Sequence, residues 1–260
     1  MVSKNFNIIS YLERIKYEGK IDACFETLYN LHKSHTLNVP FENLNVYYKK
    51  PILLDRESLY KKIVENKRGG YCFEMNGLFS FVLKELGFKV TDLLARVEVE
   101  GTFYSAKTHQ VLMVEIDDKR WLVDVGFGRN GITEPLLLEE GIEQQQSGDT
   151  YRLLKDSKFG YMLQNKVEDK YSYMYAFTLD ECYPVDYVMS SHFTSTYPDS
   201  WFTKMKFCTK PIKEGRITLT DECFKVAKNG QISETKISNE DEFNKVLKKH
   251  FELDLDLIKM

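Results

Sequence analysis

Arg68-Gly69-Gly70-Tyr71-Cys72-Phe73-Glu74-Met75-Asn76-Gly77-Leu78-Phe79-Ser80-Phe81-Val82-Leu83-Lys84-Glu85-Leu86-Gly87 is the stretch that decides the fold of this chain. Gly69-Gly70 breaks whatever precedes it and permits a sharp turn or a close backbone approach to a ligand. Apolar residues then recur at helical spacing: Leu78, Phe81, Val82, Leu83 and Leu86. Gly87 stands where a helix ends in a left-handed residue. The spacing predicts a long helix over 72–86 with Cys72 at its N-terminus. Unsatisfied backbone N–H groups there carry partial positive charge and favour a thiolate over a thiol.

Upstream of this helix the texture is helical. Ile8, Ile9, Leu12 and Ile15 form one apolar face, with Gly19 past the end. Asp22 is placed to cap a second helix carrying Phe25, Leu28 and Leu31. Pro40 breaks the period between 37 and 43. A short helix is expected over 58–66, with Leu59 and Ile63 inward.

Downstream the pattern becomes β-rich. Segments 89–99, 109–116 and 120–125 read as strands, with Asp117-Asp118-Lys119 as a hairpin connection. Shorter strand-like pieces follow at 136–138, 151–154, 161–164 and 171–178. This describes an antiparallel barrel or sandwich. After residue 181 the texture is mixed. Segments 216–220 and 222–227 read as strands, Asn229-Gly230 as a hairpin turn, and Ser238-Asn239-Glu240-Asp241 as the start of a final helix. The fold class is α+β, with expected units 1–88 (helical), 89–185 (barrel) and 186–260 (a small α/β piece).

Composition narrows the function. The chain has 260 residues, 43% hydrophobic and 13% aromatic, enough for one large domain or two to three small ones. A net charge of −3 gives no bulk electrostatic reason to bind nucleic acid or an anionic membrane. No apolar run is long enough to span a bilayer, and 1–6 lead directly into an amphipathic helix without a signal-peptide core. Five cysteines without a C-x-x-C pair favour neither a disulfide framework nor a zinc site, and free thiols suit a cytoplasmic location.

A cysteine doing covalent chemistry needs a base, and the base needs an orienting group. His109 and Asp124 follow Cys72 in the order such a set requires. Their strands form a hairpin, which brings them near each other without fixing their geometry. His32 and His35 are spaced to share a helix face, but no nearby Cys or carboxylate completes a metal set.

The segments around these residues resemble arylamine N-acetyltransferases of the prokaryotic type. Residues 68–76 look like that family's nucleophile motif. His35-Thr36-Leu37-Asn38-Val39-Pro40-Phe41-Glu42-Asn43-Leu44 is similar to its N-terminal signature. Thr108-His109 and Val123-Asp124-Val125-Gly126-Phe127-Gly128 match its His and Asp segments, and residues 192–202 resemble the segment opening its third domain. The resemblance implies a helical bundle, a central antiparallel β-barrel and a C-terminal α/β lid around a cysteine-protease-like core. It implies ping-pong acetyl transfer from acetyl-CoA to an arylamine, hydrazine or N-hydroxyarylamine, with small molecules as partners and no metal. Cys72 would be the nucleophile, His109 the base and Asp124 its orienter. Thr108, Gly126, Phe127, Gly128 and Phe202 would border the coenzyme, and Phe41, Phe127 and Phe202 the amine. Phe41 reads equally well as core, and Arg129 as a phosphate contact or a solvated loop residue. Glu42 and Arg68 would form a structural ion pair. The chain departs from many members in ending soon after its last helix. Cys, His, Asp in this order also fits a papain-like hydrolase or a transglutaminase-like enzyme. The segments at 39–43 and 124–128 argue against that alternative.

Overall fold

The computed structural model of the chain describes residues 6–167, 169–213 and 215–259. Residues 1–5, expected to lead into the first helix, lie outside the described residues.

Helix α1 spans Ile8–Arg14, with the Asn7 side chain accepting the Ile9 N–H at 2.9 Å. It buries Tyr11, Leu12 and Ile15, whereas Ile9, expected inward, faces solvent. The helix ends before Lys16, so Gly19 lies in the following turn rather than at its end. Helix α2 runs Phe25–Asn38. Cys24 precedes it, and Asp22 contributes its carbonyl to the Cys24 N–H instead of a side-chain cap. A two-residue strand β1 (Phe41–Glu42) and helix α3 (Leu44–Tyr47) follow. Helix α4 (Arg56–Tyr60), capped by Asp55, continues as a π-helical turn over Lys61–Glu65 and buries Leu59 and Ile63.

Helix α5 occupies Cys72–Glu85 and Gly87 takes φ +86°, as the sequence predicts. Leu78, Val82 and Leu83 are fully buried, each contributing roughly 1.5–3 kcal/mol of burial energy. Phe81 and Leu86 are only half-buried.

Among the described residues eight antiparallel strands form one sheet: β2 Lys89–Val97, β3 Lys107–Ile116, β4 Lys119–Val123, β5 Leu136–Leu137, β6 Gln144–Gln146, β7 Asp149–Asp156, β8 Gly160–Val167 and β9 Lys170–Phe177. Their order is β5-β4-β3-β2-β9-β8-β7-β6. Asp117 and Asp118 both have positive φ, which matches the right-handed twist of β3 and β4 and fixes Ile116 opposite Lys119. The sheet curls into a nearly closed barrel, and its two edges meet through glutamine side chains. Gln144 accepts the Leu137 N–H at 2.8 Å and donates to the Leu137 carbonyl at 3.1 Å. Gln146 accepts the Thr133 and Glu134 N–H groups and donates to the Glu134 carbonyl at 2.7 Å. Strand β6 is absent from the sequence reading because Gln144-Gln145-Gln146 has no apolar alternation.

Helices α6 (Pro184–Thr196) and α7 (Trp201–Lys204) lead from the barrel to a second antiparallel sheet. It contains β1, β10 (Phe207–Ile212), β11 (Gly215–Thr220), β12 (Cys223–Lys228) and β13 (Gln231–Lys236), in that order. Asn229-Gly230 forms the expected turn, with φ of 51° and 74°. Helix α8 (Glu240–Phe251) starts with a reciprocal cap: Asn239 accepts the Glu242 N–H, and Glu242 accepts the Ser238 N–H. A short helix α9 (Leu255–Lys259) follows. Strand β1 pairs Phe41 with Thr209 and Glu42 with Cys208, so the segment after α2 is an edge of the second sheet.

Replacing Gln146 by Leu strands two donors and an acceptor in a buried seam. We expect Gln146→Leu to lose about 2–3 kcal/mol of stability in urea unfolding, and a change under about 0.5 kcal/mol would contradict the seam's role.

Candidate active site

Cys72 is the first residue of α5 and is 4% exposed. The loop before it is held from below. Glu74 accepts the Tyr71 N–H at 3.2 Å and the Lys62 ammonium at 2.6 Å. Arg68 donates twice to Glu42 Oε1, at 3.0 and 2.6 Å, and once to Asn45 Oδ1. Burial alone would raise the Glu42 carboxyl, but Arg68 and Lys62 hold it below its ordinary value. The expected Glu42–Arg68 pair is therefore present, and Lys62 joins it. Gly69 is required by a close approach to the protein itself rather than to a ligand. A Cβ there would lie 1.9 Å from the Pro40 carbonyl oxygen.

Strands β3 and β4 supply the facing groups. Leu112 opposite Val123 is the last β3–β4 pair toward this end, so Asp124 stands just beyond the ladder. The His109 ring reaches it, with Nε2 2.7 Å from Asp124 Oδ2. Nδ1 is left for the Cys72 side, and the thiol adds to the raising of the ring's titration. The sulfur also lies 3.6 Å from the Thr108 carbonyl oxygen. All three side chains are buried. Burial pushes the His109 titration down, but the adjacent carboxylate outweighs it and raises it to about 10. Burial pushes Asp124 up, and His109, Asn76 and the Gly126 N–H together hold it below the ordinary carboxylate value.

Asp124 is fully engaged. Its Oδ1 accepts from Asn76 Nδ2 and from the Gly126 N–H, both at 2.9 Å. Its own N–H goes to His32 Nε2 at 3.2 Å. Asn76 also donates to the Gln110 carbonyl and accepts the Val125 N–H. One side chain thus ties α5 to β3 and to the segment after β4. The sequence reading assigned Asn76 no role, although it lies four residues after Cys72 on the same helix face. Tyr175 was also missed. Its ring contacts His109 at 5.0 Å and Phe127 at 5.2 Å, and its hydroxyl is buried beside Asp124. No local signal on β9 marks it.

The expected contact residues fall into two groups. Phe127 stands edge-on to His109 at 5.2 Å. Phe41 and Phe202 contact each other at 6.2 Å, Phe202 also meets Tyr71, and Gly128 packs on the Phe41 ring. Phe127 packs against the barrel core, whereas Phe41, Tyr71 and Phe202 belong to the helical core. Phe41 is 5% exposed and also contacts Phe207, so it belongs to the core as well. Gly126 serves packing: a Cβ there would come within 3.0 Å of the Cys72 Cα. Its N–H is taken by Asp124, so it is not offered to an acyl carbonyl. The Thr108 side chain turns to the Ala106 carbonyl at 3.4 Å, leaving its main chain to face the thiol. The Arg129 guanidinium lies over the Trp201 ring at 5.6 Å.

A cavity of about 20 Å³, room for one water, lies between Asp124, Phe41, Phe127 and Arg216. A wider cleft of about 1440 Å³ runs between α5, α6 and residues 46–55, and none of Cys72, His109 and Asp124 lines it. Among the described residues no cluster of three or more His, Cys, Asp or Glu is placed to hold a metal ion, and no helix is long and apolar enough to cross a membrane.

A buried thiol at a helix N-terminus, with an imidazole and a buried carboxylate beside it, is an arrangement suited to covalent acyl chemistry. Three known proteins and a family model resemble the chain. An N-acetyltransferase family model matches residues 24–260. The arylamine N-acetyltransferase of Escherichia coli K12 is 37% identical over 86% of this chain and 80% of its own length. An arylamine N-acetyltransferase / N-hydroxyarylamine O-acetyltransferase of Salmonella typhimurium is 35% identical over 82% of this chain and 76% of its own. The Mycobacterium marinum arylamine N-acetyltransferase, solved in complex with CoA, superposes with a TM-score of 0.91 at 32% identity, covering 97% of this chain and 94% of that one. The chain belongs to the arylamine N-acetyltransferase family.

Proposed function

We propose that the chain transfers an acetyl group from acetyl-CoA to an arylamine, arylhydrazine or N-hydroxyarylamine by a ping-pong route through Cys72. The observation that carries this reading is His109 standing between the Cys72 thiol and the Asp124 carboxylate, with Nε2 2.7 Å from Oδ2.

His109, whose raised titration keeps it an imidazolium, already holds the Cys72 proton when the sulfur attacks the thioester carbonyl. The C–S bond to coenzyme A breaks, His109 returns the proton to the leaving sulfur, and acetyl-Cys72 remains. The amine then attacks that acyl carbon and gives its proton to His109, and the Cys72–acyl bond breaks. Asp124 holds the ring with Nε2–H toward itself and stabilises the imidazolium. The Phe41, Phe127 and Phe202 rings form the apolar wall against which an aromatic acceptor lies. Thr108, Phe127, Gly128 and Phe202 border the path of the pantetheine arm. Cys72 comes from a helical unit (1–88), His109 and Asp124 from a barrel unit (89–185), and residues 186–260 form a lid. The setting that fits is the reducing cytoplasm, and the fitting role is acetylation of aromatic xenobiotics.

Cys72→Ala should fold normally and release no coenzyme A when given acetyl-CoA and an arylamine. Release near the wild-type rate would end the nucleophile assignment, and hydrolysis of acetyl-CoA that ignores the amine would favour a hydrolase.

Asp124→Asn should slow transfer by roughly a thousandfold or more. It also removes the main charge that raises His109, leaving burial opposed only by the smaller effect of Cys72, so the titration of the ring in NMR should fall. A mild rate loss with His109 still titrating high would mean that another group orients the ring.

A further inference from the structure

His32 belongs to no stretch that the sequence marked as chemical. It sits on α2, fully buried, and its Nε2 accepts the main-chain N–H of Asp124 at 3.2 Å. Its ring meets Phe79 of α5 edge-on, with centroids 6.0 Å apart, so its tilt is set by the helix that begins at Cys72.

The place of that hydrogen bond in the fold gives it meaning. Asp124 is the first residue beyond the last β3–β4 pair. A buried N–H that leaves a sheet needs another acceptor. Three successive N–H groups here find side chains: Asp124 goes to His32, Val125 to Asn76, and Gly126 to the Asp124 carboxylate. The first of the three fixes the residue whose carboxylate meets His109. Accepting at Nε2 requires a lone pair there, hence a neutral ring with its proton on Nδ1. Burial keeps the ring neutral by lowering its titration to about 4. An apolar ring of the same shape would fill the space but leave the Asp124 N–H unpaired.

We infer that His32 is a positioning residue for acetyl transfer: by taking the Asp124 N–H it sets where β4 ends and aims the Asp124 carboxylate at His109. The inference rests on the acetyl-transfer reading above.

Three variants test it. His32→Phe keeps a ring and removes the acceptor. His32→Gln presents an amide oxygen at about the reach of Nε2, and His32→Asn presents the same amide one carbon short. Steady-state kcat and KM for acetyl-CoA and an arylamine are measured beside thermal unfolding. For His32→Phe and His32→Asn, kcat should fall roughly ten- to hundredfold with KM within about twofold, and His32→Gln should return to within about threefold of wild type. A folded His32→Phe with wild-type kcat, or equal kcat in the Asn and Gln variants, overturns the inference. If His32→Phe does not fold, the Asn and Gln pair decides alone. Failure of the transferase reading looks different, because the wild-type protein itself would then acetylate no amine.

Discussion

The structure turns on one buried carboxylate. Asp124 is 1% exposed, and an isolated charge at that depth would be far too costly to keep. It stays ionised because His109, Asn76 and the Gly126 N–H all donate to it. The same contacts determine the site. A carboxylate that must be satisfied draws an imidazole to 2.7 Å, and that imidazole then has one nitrogen left for the Cys72 thiol. Charge burial, usually a liability, here sets the order of three side chains.

Several parts of the fold exist to bring the elements this close. Asn76 reaches from α5 to β3 and to Val125, so the helix and the barrel cannot slide past each other without breaking three hydrogen bonds. Gly126 leaves no side chain between that segment and the Cys72 backbone. On the other side, Glu42 lies in the edge strand β1 of the second sheet while its carboxylate grips Arg68 of the loop before Cys72. The Glu42 N–H donates to the Gly70 carbonyl at 2.9 Å, which binds the same two segments through the main chain. The thiol is thus held near two sheets that, among the described residues, share no backbone hydrogen-bond ladder.

What the sequence makes legible follows from the range of the forces involved. Helix α5 rests on local periodicity and a glycine stop, and the Asp117-Asp118 and Asn229-Gly230 turns rest on residues suited to positive φ, so all three could be read directly. Elements stabilised by distant partners could not. Strand β13, Gln231–Lys236, is exposed at every position and exists by pairing with β12. Strand β6 owes its place to side-chain amides across the barrel seam. Helix α6 begins at Tyr183-Pro184 with a weak apolar period, and it exposes Val185, Val188 and Met189. In the site, Cys72, His109 and Asp124 stood out through the segments around them. His32 and Tyr175 did not, because each meets Asp124 from a distant part of the chain.

The central claim is that His109, oriented and charge-stabilised by Asp124, lets Cys72 carry an acyl group. The most direct measurement is peptide-resolved mass spectrometry of the protein quenched after a brief mix with stoichiometric acetyl-CoA and no amine. The account predicts one acetyl group on Cys72 alone, lost within one turnover when an arylamine is added. Acetylation spread over lysines, or an acetyl-Cys72 that survives the amine unchanged, would contradict it.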